Sequence, residues 1–404
     1  MTRIQDYFLT ALCRAVRGLP ADDPTFSDRE WDELLRLARE QELLPLVYNA
    51  VCQCSSFQNL DTGKRDAYQN TALTAATRQT VQTNAFLDLL LAAQTEGLDP
   101  VVLKGLSVRE LYPLPVLRPS VDEDLLIPPE QAEAYHRFLL AQGLVSDDPG
   151  ADVPTAWELG YHRPDSPTGI ELHMSPLPPD SEAYGELNAL FEGLSDRAEE
   201  ITVEGVPMRV PAPTDHILYM LCHIYKHFLH SGFGVRQVCD IGMLAAHAGE
   251  AVDWPDIRRR CARVRLDRFA AAVLRVGDKY LGFPLPEAFA DLEADPELLV
   301  EDILSAGVYG MEDEAQKHSG TVVLDAVAAR NEGRSRRSLL AAAFPPASSL
   351  QGRYGFLRGK PWLLPAAWTL RFGEYLFSGK ARPAASMRAA EHRLRLLREY
   401  GIID

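Results

Sequence analysis

The feature that most constrains the fold is a pair of aspartates inside an otherwise apolar stretch. Residues 101–103 form an apolar run typical of a buried strand. Residues 121–127 form a second run, which contains Asp122 and Asp124. Side chains two residues apart on a strand leave the same face, so these carboxylates would lie side by side while Glu123 points the other way. Like charges this close repel unless a cation sits between them, most often a divalent metal, so the sequence predicts a metal-binding acidic pair.

Glu123 also interrupts the apolar face of its strand, because Val121 and Leu125 would be its neighbours on that face. A charged side chain on the inward face of a strand is easiest to accommodate at the border of a sheet. We therefore expect this strand to lie near an edge.

The motifs around the pair resemble those of a bacterial family of poorly characterised nucleotidyltransferases, a branch of the polymerase-β-like nucleotidyltransferase superfamily. The residues that carry the resemblance are Lys104, Gly105, Tyr112, Pro113, Arg118 and the Asp-x-Asp-Leu-Leu run at 122–126. It implies that Asp122 and Asp124 bind Mg²⁺ and a nucleoside triphosphate, with a third carboxylate from a later strand. One departure is that the superfamily's Gly-Ser or Gly-Gly doublet is missing, since Leu106 follows Gly105 and Ser107 comes one step later.

A candidate for the third carboxylate is Glu171. Residues 157–163 and 170–174 flank a turn and predict a β-hairpin. In the second arm Glu171 and His173 face one way, and the apolar residues that alternate with them face the other. The resemblance places the third acid at this distance along the chain, usually as Asp. Glu171 is either a third metal ligand or a solvated residue at a sheet edge.

A helix that begins near residue 214 carries four histidines close to one face. They are His216, His223, His227 and His230, at intervals of seven, four and three residues. By resemblance to the family, whose helical part has a similar His, Lys-His, Arg and Asp pattern, Lys226 and Arg236 would contact the nucleotide or the acceptor. A second interpretation is a polar helix–helix contact in which Asp240 orients Arg236. The third is a transition metal between His223 and His227, for which no third ligand is evident.

Charge narrows the range of partners. The chain has 404 residues and a net charge of −16, yet residues 331–404 hold 13 basic and 5 acidic residues. An acidic body disfavours sequence-independent binding of nucleic acid, so a small molecule or a peptide is the favoured acceptor. The basic tail either holds a polyanion or docks on the acidic body.

The cysteines and the apolar runs indicate the cellular compartment in which the protein is expected. The six cysteines lack the spacing of a zinc site, which favours buried thiols in a reducing environment. Neither a signal peptide nor an apolar run long enough to span a bilayer is evident in the sequence. We expect a cytoplasmic protein.

The predicted fold is α+β and mostly helical. A small mixed β-sheet nucleotidyltransferase core is expected at residues 99–212, between an N-terminal helical lobe at 1–98 and a C-terminal helical region with the basic tail at 213–404. The implied activity is metal-dependent transfer of a nucleoside monophosphate from an NTP to a hydroxyl or phosphate acceptor, with release of pyrophosphate. The alternative is a non-catalytic protein of the same fold that acts as a binding or antitoxin-like partner.

The site residues follow from the same resemblance. The catalytic and metal-binding candidates are Asp122, Asp124 and Glu171, with Mg²⁺ or Mn²⁺ as the cofactor. The nucleotide-binding candidates are Lys104, Gly105, Ser107, Arg118, Lys226 and Arg236. Lys104 and Arg118 could instead pair with the acidic residues themselves.

Overall fold

The computed structural model describes residues 1–230, 232–306, 314–331, 360–377 and 383–403. The fold is α+β and mostly helical, with a seven-stranded mixed sheet, which confirms the predicted class. Among the described residues, no helix combines the length and the apolarity needed to cross a membrane.

The first hundred residues are helical. The helices are α1 (Arg3–Ala15), α2 (Asp28–Glu40), α3 (Leu44–Val51), α4 (Ser55–Gln58) and α5 (Thr62–Thr95). Local chemistry explains where they start. The Thr2 hydroxyl accepts a hydrogen bond from the amide of Gln5, whose side chain accepts one from the amide of Thr2, so α1 begins with a reciprocal cap. Pro45 lies in the first turn of α3, where its missing N–H leaves no helical bond unmade.

The sheet combines the four predicted strands with three further strands. The strands are β1 (Val101–Val102), β2 (Asp122–Leu126), β3 (Val145–Ser146), β4 (Glu158–His162), β5 (Gly169–His173), β6 (Glu199–Val203) and β7 (Val206–Val210), in the order β3-β4-β5-β2-β1-β7-β6. β4 and β5 form the predicted hairpin, and β6 pairs antiparallel with β7. β2 pairs in parallel with β5 and antiparallel with β1.

The expected edge position of β2 is wrong, because β2 is the fourth of the seven strands. Glu123 does point into the interior and is fully buried. Its charge is paired there with Arg109, at the end of α6 (Leu106–Arg109), 2.9 Å from the carboxylate. A buried charge that has a buried partner needs no edge.

Nine further α-helices are present among the described residues, numbered in chain order. They are α7 (Ala132–Ala141), α8 (Pro213–His230), α9 (Val235–Ala248), α10 (Trp254–Arg263), α11 (Asp267–Leu281), α12 (Pro296–Ala306), α13 (Glu314–Asn331), α14 (Leu364–Phe377) and α15 (Pro383–Glu399).

Hydrophobic residues collect in two large cores. In one core, α5 and α7 pack against residues of the sheet that include Leu125 and Leu172. The other contains residues of α1 to α3 together with residues of α8 to α12, and Val101 and Leu126 of the sheet belong to it. Neighbouring residues of one strand thus face different cores, as the two-residue period requires. The domain boundaries proposed from the sequence stay a prediction.

The basic tail is described only in part, by α14, α15 and a few flanking residues. In α15, Arg393 is buried and its Nε lies 3.4 Å from Oδ1 of Asp302 on α12. This part of the tail therefore packs on an acidic residue of the body. The prediction for residues 332–359 and 378–382 of the tail lies outside the described residues.

Candidate active site

A cleft of about 170 Å³ opens where the sheet meets α8 and α9. On the side of the sheet it is lined by Lys104, Gly105, Asp122, Glu158 and Glu171. On the side of the helices it is lined by Tyr219, His223, Lys226, His227, Arg236 and Asp240. Most of the residues singled out from the sequence therefore meet at one place.

The parallel pairing of β2 with β5 brings the acidic residues together. The register aligns Asp124 with Glu171, and Asp122 lies two residues earlier on the same face of β2. Leu125 and Leu172 alternate with these carboxylates and are buried in the core on the opposite face. This alternation fixes the register, because a slip by one residue would turn the carboxylates into that core.

His173 connects the two strands at the site. Its Nε2 lies 2.9 Å from Oδ1 of Asp124 and 3.5 Å from Oε2 of Glu171, and its Nδ1 lies 3.6 Å from Oε2 of Glu158. One ligand atom from each of Asp124, Glu171 and His173 falls within 4.8 Å of the others, so this group could hold a metal ion. His173 is absent from the predicted site, although its position two residues after Glu171 signals the shared face.

Lys104 supplies positive charge between the two aspartates. Its Nζ lies 3.0 Å from Oδ2 of Asp124 and 3.9 Å from Oδ1 of Asp122. The shorter contact has the distance of an ion pair, but its angles are not those of a hydrogen bond, and Oδ2 of Asp124 has no hydrogen-bond partner among the described residues. Lys104 thus pairs with the acidic residues, as one of its two interpretations expects.

The environment separates the pKa values of the clustered groups. Burial would raise the pKa of Asp124, but the Lys104 charge and the hydrogen bond with His173 hold it well below its usual range. Burial raises the pKa of Glu171 to about 7, and Asp124 and Asp122 add to this shift. Burial opposes a charged His173, yet its contacts with Asp124 and Glu171 raise its pKa to about 9. Two neighbouring carboxylates with separated pKa values suit acid–base chemistry.

On the opposite face of β2, Glu123 is enclosed in a structural ion pair. Its Oε1 accepts a hydrogen bond from Arg109 at 2.9 Å and its Oε2 accepts one from the amide of Leu106 at 2.6 Å. Gly105 makes room for this carboxylate, because its φ is +83° and a Cβ there would lie 2.0 Å from Oε2. The amide that follows Gly105 is therefore already used by a side chain of the protein.

Arg118 and Arg236 line the cleft, but both are paired with carboxylates. Arg118 contacts Asp240 twice, with Nε 3.1 Å from Oδ1 and Nη2 2.5 Å from Oδ2. Arg236 lies 2.5 Å from Oε2 of Glu42 and donates to the carbonyl of Pro119 at 2.7 Å. The expected pairing of Arg236 with Asp240 is wrong, because the two-pronged contact with Arg118 occupies both oxygens of Asp240.

The other two predicted nucleotide-binding residues differ in placement. Ser107 is buried and does not line the cleft, so its role stays a prediction. Lys226 lines the cleft, with its Nζ 5.2 Å from the centre of the Trp157 ring. In the part of the chain that the structure describes, no carboxylate pairs with Lys226.

The four histidines of α8 do not form a metal-binding group with other described residues. His216 donates from Nε2 to the carbonyl of Leu103 at 2.7 Å. The Nε2 atoms of His223 and His227 lie 2.8 Å apart, and His230 bonds the Tyr184 hydroxyl. Burial lowers the pKa of His216 to about 4 and that of His227 to about 3, so both are neutral at pH 7.

The donor set suits a hard divalent cation. Asp122, Asp124 and Glu171 offer carboxylate oxygens, which Mg²⁺ and Mn²⁺ prefer over sulfur or nitrogen ligands. Oδ2 of Asp124 is buried next to the flexible Lys104 side chain and makes no hydrogen bond within the described part of the chain, so it is a ligand atom that a cation can take. His173 holds the other oxygen of Asp124 in place.

Comparison with known proteins agrees with the motifs. The model of a family described as "Uncharacterised nucleotidyltransferase" matches residues 27–282, which is more than half of the chain and includes all the cleft residues named above. Searches of curated proteins and of solved structures gave no match. The chain belongs to this family of uncharacterised nucleotidyltransferases.

Proposed function

We propose that the protein is a metal-dependent nucleotidyltransferase that moves a nucleoside monophosphate from an NTP to a hydroxyl or phosphate acceptor and releases pyrophosphate. The observation that supports this most is that Asp122 and Glu171 line one wall of a cleft, with the buried Asp124 on the same face of the sheet, in a chain of this family. Lys226 on the opposite wall adds a cation that faces the same space.

Mg²⁺, or Mn²⁺ in its place, is the cofactor, held by the carboxylates of Asp122, Asp124 and Glu171. When bound, the metal neutralises charge on the triphosphate and makes the acceptor hydroxyl a better nucleophile. His173 positions Asp124 for this role through its hydrogen bond to Oδ1.

The side chains of the cleft position the reactants and move one proton. The acceptor oxygen forms a bond to the α-phosphorus while the bond from that phosphorus to the bridging oxygen breaks, and pyrophosphate leaves with the electron pair. Lys104 and Lys226 neutralise phosphate oxygens. Glu171 lines the same cleft and takes the proton of the acceptor hydroxyl on a carboxylate oxygen.

The cleft is narrow for a whole nucleotide. Its volume of about 170 Å³ lies below the roughly 300–1,000 Å³ of pockets that bury drug-sized ligands. The phosphates therefore occupy the enclosed part, and the sugar and base lie towards the mouth.

The acidity of the chain favours a small molecule or a peptide as the acceptor over a nucleic acid, because a net charge of −16 repels a polyanion. The six cysteines are free thiols, which fits the reducing cytoplasm as the compartment.

Two observations favour the alternative of a non-catalytic protein that binds through the same fold. The amide of Leu106, which follows Gly105, is taken by Glu123 and so is not offered to a phosphate. The two arginines of the cleft are likewise taken, by Asp240 and Glu42. In this case the cleft would bind its partner without chemistry.

Incubation with each of the four α-labelled NTPs and Mg²⁺ separates the two functions. Protein and small-molecule fractions of a lysate serve as acceptors, and both pyrophosphate release and transfer of label are measured. The enzyme gives both signals with at least one fraction, and both disappear when EDTA removes the metal. Nucleotide binding without pyrophosphate release, with every NTP and fraction, would support the non-catalytic alternative.

A further inference from the structure

The position of Lys104 is set by backbone contacts on two sides. The amide of Leu103 donates to the carbonyl of Asp124 at 2.9 Å, which ties the segment after β1 to β2. The carbonyl of Leu103 accepts a hydrogen bond from His216 on α8. The backbone at Lys104 is thus anchored between the sheet and the helix, and only its four-carbon side chain is free to move.

The ammonium group of Lys104 lies where a cation between the aspartates would lie. It is 3.0 Å from Asp124 and 3.9 Å from Asp122. Asp124 is completely buried, so its charge needs a counterion at all times. The contact of Lys104 with Oδ2 of Asp124 depends on charge and not on a directional hydrogen bond, so another cation can replace it.

We propose that Lys104 is a tethered cation that occupies the metal position in the nucleotide-free protein, gives way when a divalent metal binds, and then pairs with the phosphates of the nucleotide. This rests on the proposed function, because it assigns the aspartates to the metal. Metal and nucleotide binding are coupled through one side chain.

The other cationic side chains of the cleft cannot occupy the metal position between the aspartates. Arg118 is held by Asp240 in a buried contact, and Arg236 is held by Glu42 in a partly buried one. Lys226, among the cleft residues that the structure describes, has no carboxylate partner and thus no position to vacate. A metal bound by Asp122 and Asp124 repels the Lys104 ammonium, and the nearest new anion is a phosphate in the same cleft.

The test is Mn²⁺ binding to the full chain without nucleotide, measured from the electron paramagnetic resonance signal of free Mn²⁺. Lys104→Met removes the competing charge and keeps the length of the side chain. We expect the variant to bind Mn²⁺ at least about tenfold more tightly than the wild type, because a dication gains when a positive charge about 4 Å away is removed. The same variant, loaded with Mn²⁺, should bind a non-hydrolysable NTP analogue at least about tenfold more weakly.

Two control variants isolate the mechanism. Lys104→Arg keeps a competing cation and should bind Mn²⁺ within about threefold of the wild type. Lys226→Met removes a cleft cation that pairs with neither aspartate, so its Mn²⁺ affinity should change by less than about threefold. If Lys104→Met unfolds, Lys104→Gln repeats the test with a neutral polar side chain.

The outcomes distinguish this inference from the proposed function. Mn²⁺ affinity that is equal or weaker in Lys104→Met overturns the inference, while binding that is lost in Asp124→Asn still supports a metal site. Absence of Mn²⁺ binding in both the wild type and Lys104→Met overturns the metal site itself and the inference with it.

Discussion

Glu123 and Asp124 are neighbours on the central strand of the sheet, and both are fully buried, yet their surroundings differ. Glu123 is held by the guanidinium of Arg109 and by the amide of Leu106. Asp124 faces the other way, towards Lys104 and His173 at the cleft.

The hydrogen-bond partners of Glu123 and Asp124 distinguish two kinds of buried carboxylate. Both oxygens of Glu123 accept hydrogen bonds from donors that are themselves fixed, so nothing remains for a ligand. One oxygen of Asp124 has only the charge of a flexible side chain beside it. Burial alone does not mark a functional acid; the nature of its counterion does.

The largest effect is expected from removing the charge on the cleft side. Asp124→Asn should lower nucleotidyl transfer on the order of 10³-fold, because it removes a metal ligand and the counterion of Lys104. Initial rates of pyrophosphate release measure this. Asp147→Asn is the matched control, since Asp147 is an exposed carboxylate that pairs with His162 outside the cleft. Nucleotidyl transfer that persists in Asp124→Asn would show that Asp124 is not needed for the reaction.

The next largest effect is expected from breaking the structural ion pair between Glu123 and Arg109. Glu123→Gln should lower the free energy of unfolding by about 3–5 kcal/mol, because it leaves the buried charge of Arg109 without a partner. Urea unfolding followed by circular dichroism measures the loss. Asp124→Asn in the same assay should cost less, about 1–2 kcal/mol, since Lys104 keeps Asp122 as a partner and His173 keeps Glu171. Equal losses would mean that the two faces of β2 do not differ in this way.

A smaller effect is the loss of stability at acid pH through His216, which bonds the backbone next to Lys104. His216 has a pKa of about 4 in the folded protein because it is buried, against about 6.5 when unfolded. The unfolded chain therefore binds the proton first, and stability present above pH 6.5 is lost as the pH falls towards 4, by about 3 kcal/mol.

His216→Gln keeps a donor for the carbonyl of Leu103 and cannot titrate. Urea unfolding of the wild type and this variant at pH 7 and pH 4 isolates the contribution of His216 from that of the carboxylates. The variant should lose about 3 kcal/mol less than the wild type between these two pH values. An identical loss in both proteins would show that His216 is not the acid-sensitive anchor.

Short-range rules were enough for part of this site. The two-residue period of strands predicts that Asp122 and Asp124 share a face and that Glu171 leaves its own strand on the polar side. The structure places these three carboxylates on one face of adjacent strands. The same period places His173 on the face of Glu171, so the sequence also carried the signal for this histidine.

The sequence did not predict the ion pairs between residues that are far apart in the chain. Arg118 meets Asp240 across 122 residues and Arg236 meets Glu42 across 194 residues. The local rule for residues four apart on a helix predicted a pair between Arg236 and Asp240 instead. Tertiary packing prevails here because it offers a guanidinium two acceptor oxygens at once, which a helical neighbour does not.

The glycine of the Lys-Gly motif would mislead a mutational scan. Any side chain at Gly105 would meet the buried Glu123 carboxylate at 2.0 Å and would have to adopt a φ of +83°. Such variants would score as inactive because this wall of the cleft does not assemble, whether or not a phosphate ever touches the glycine. A low score at this codon therefore reports foldability, and protein abundance recorded for the same variants distinguishes it from a loss of chemistry.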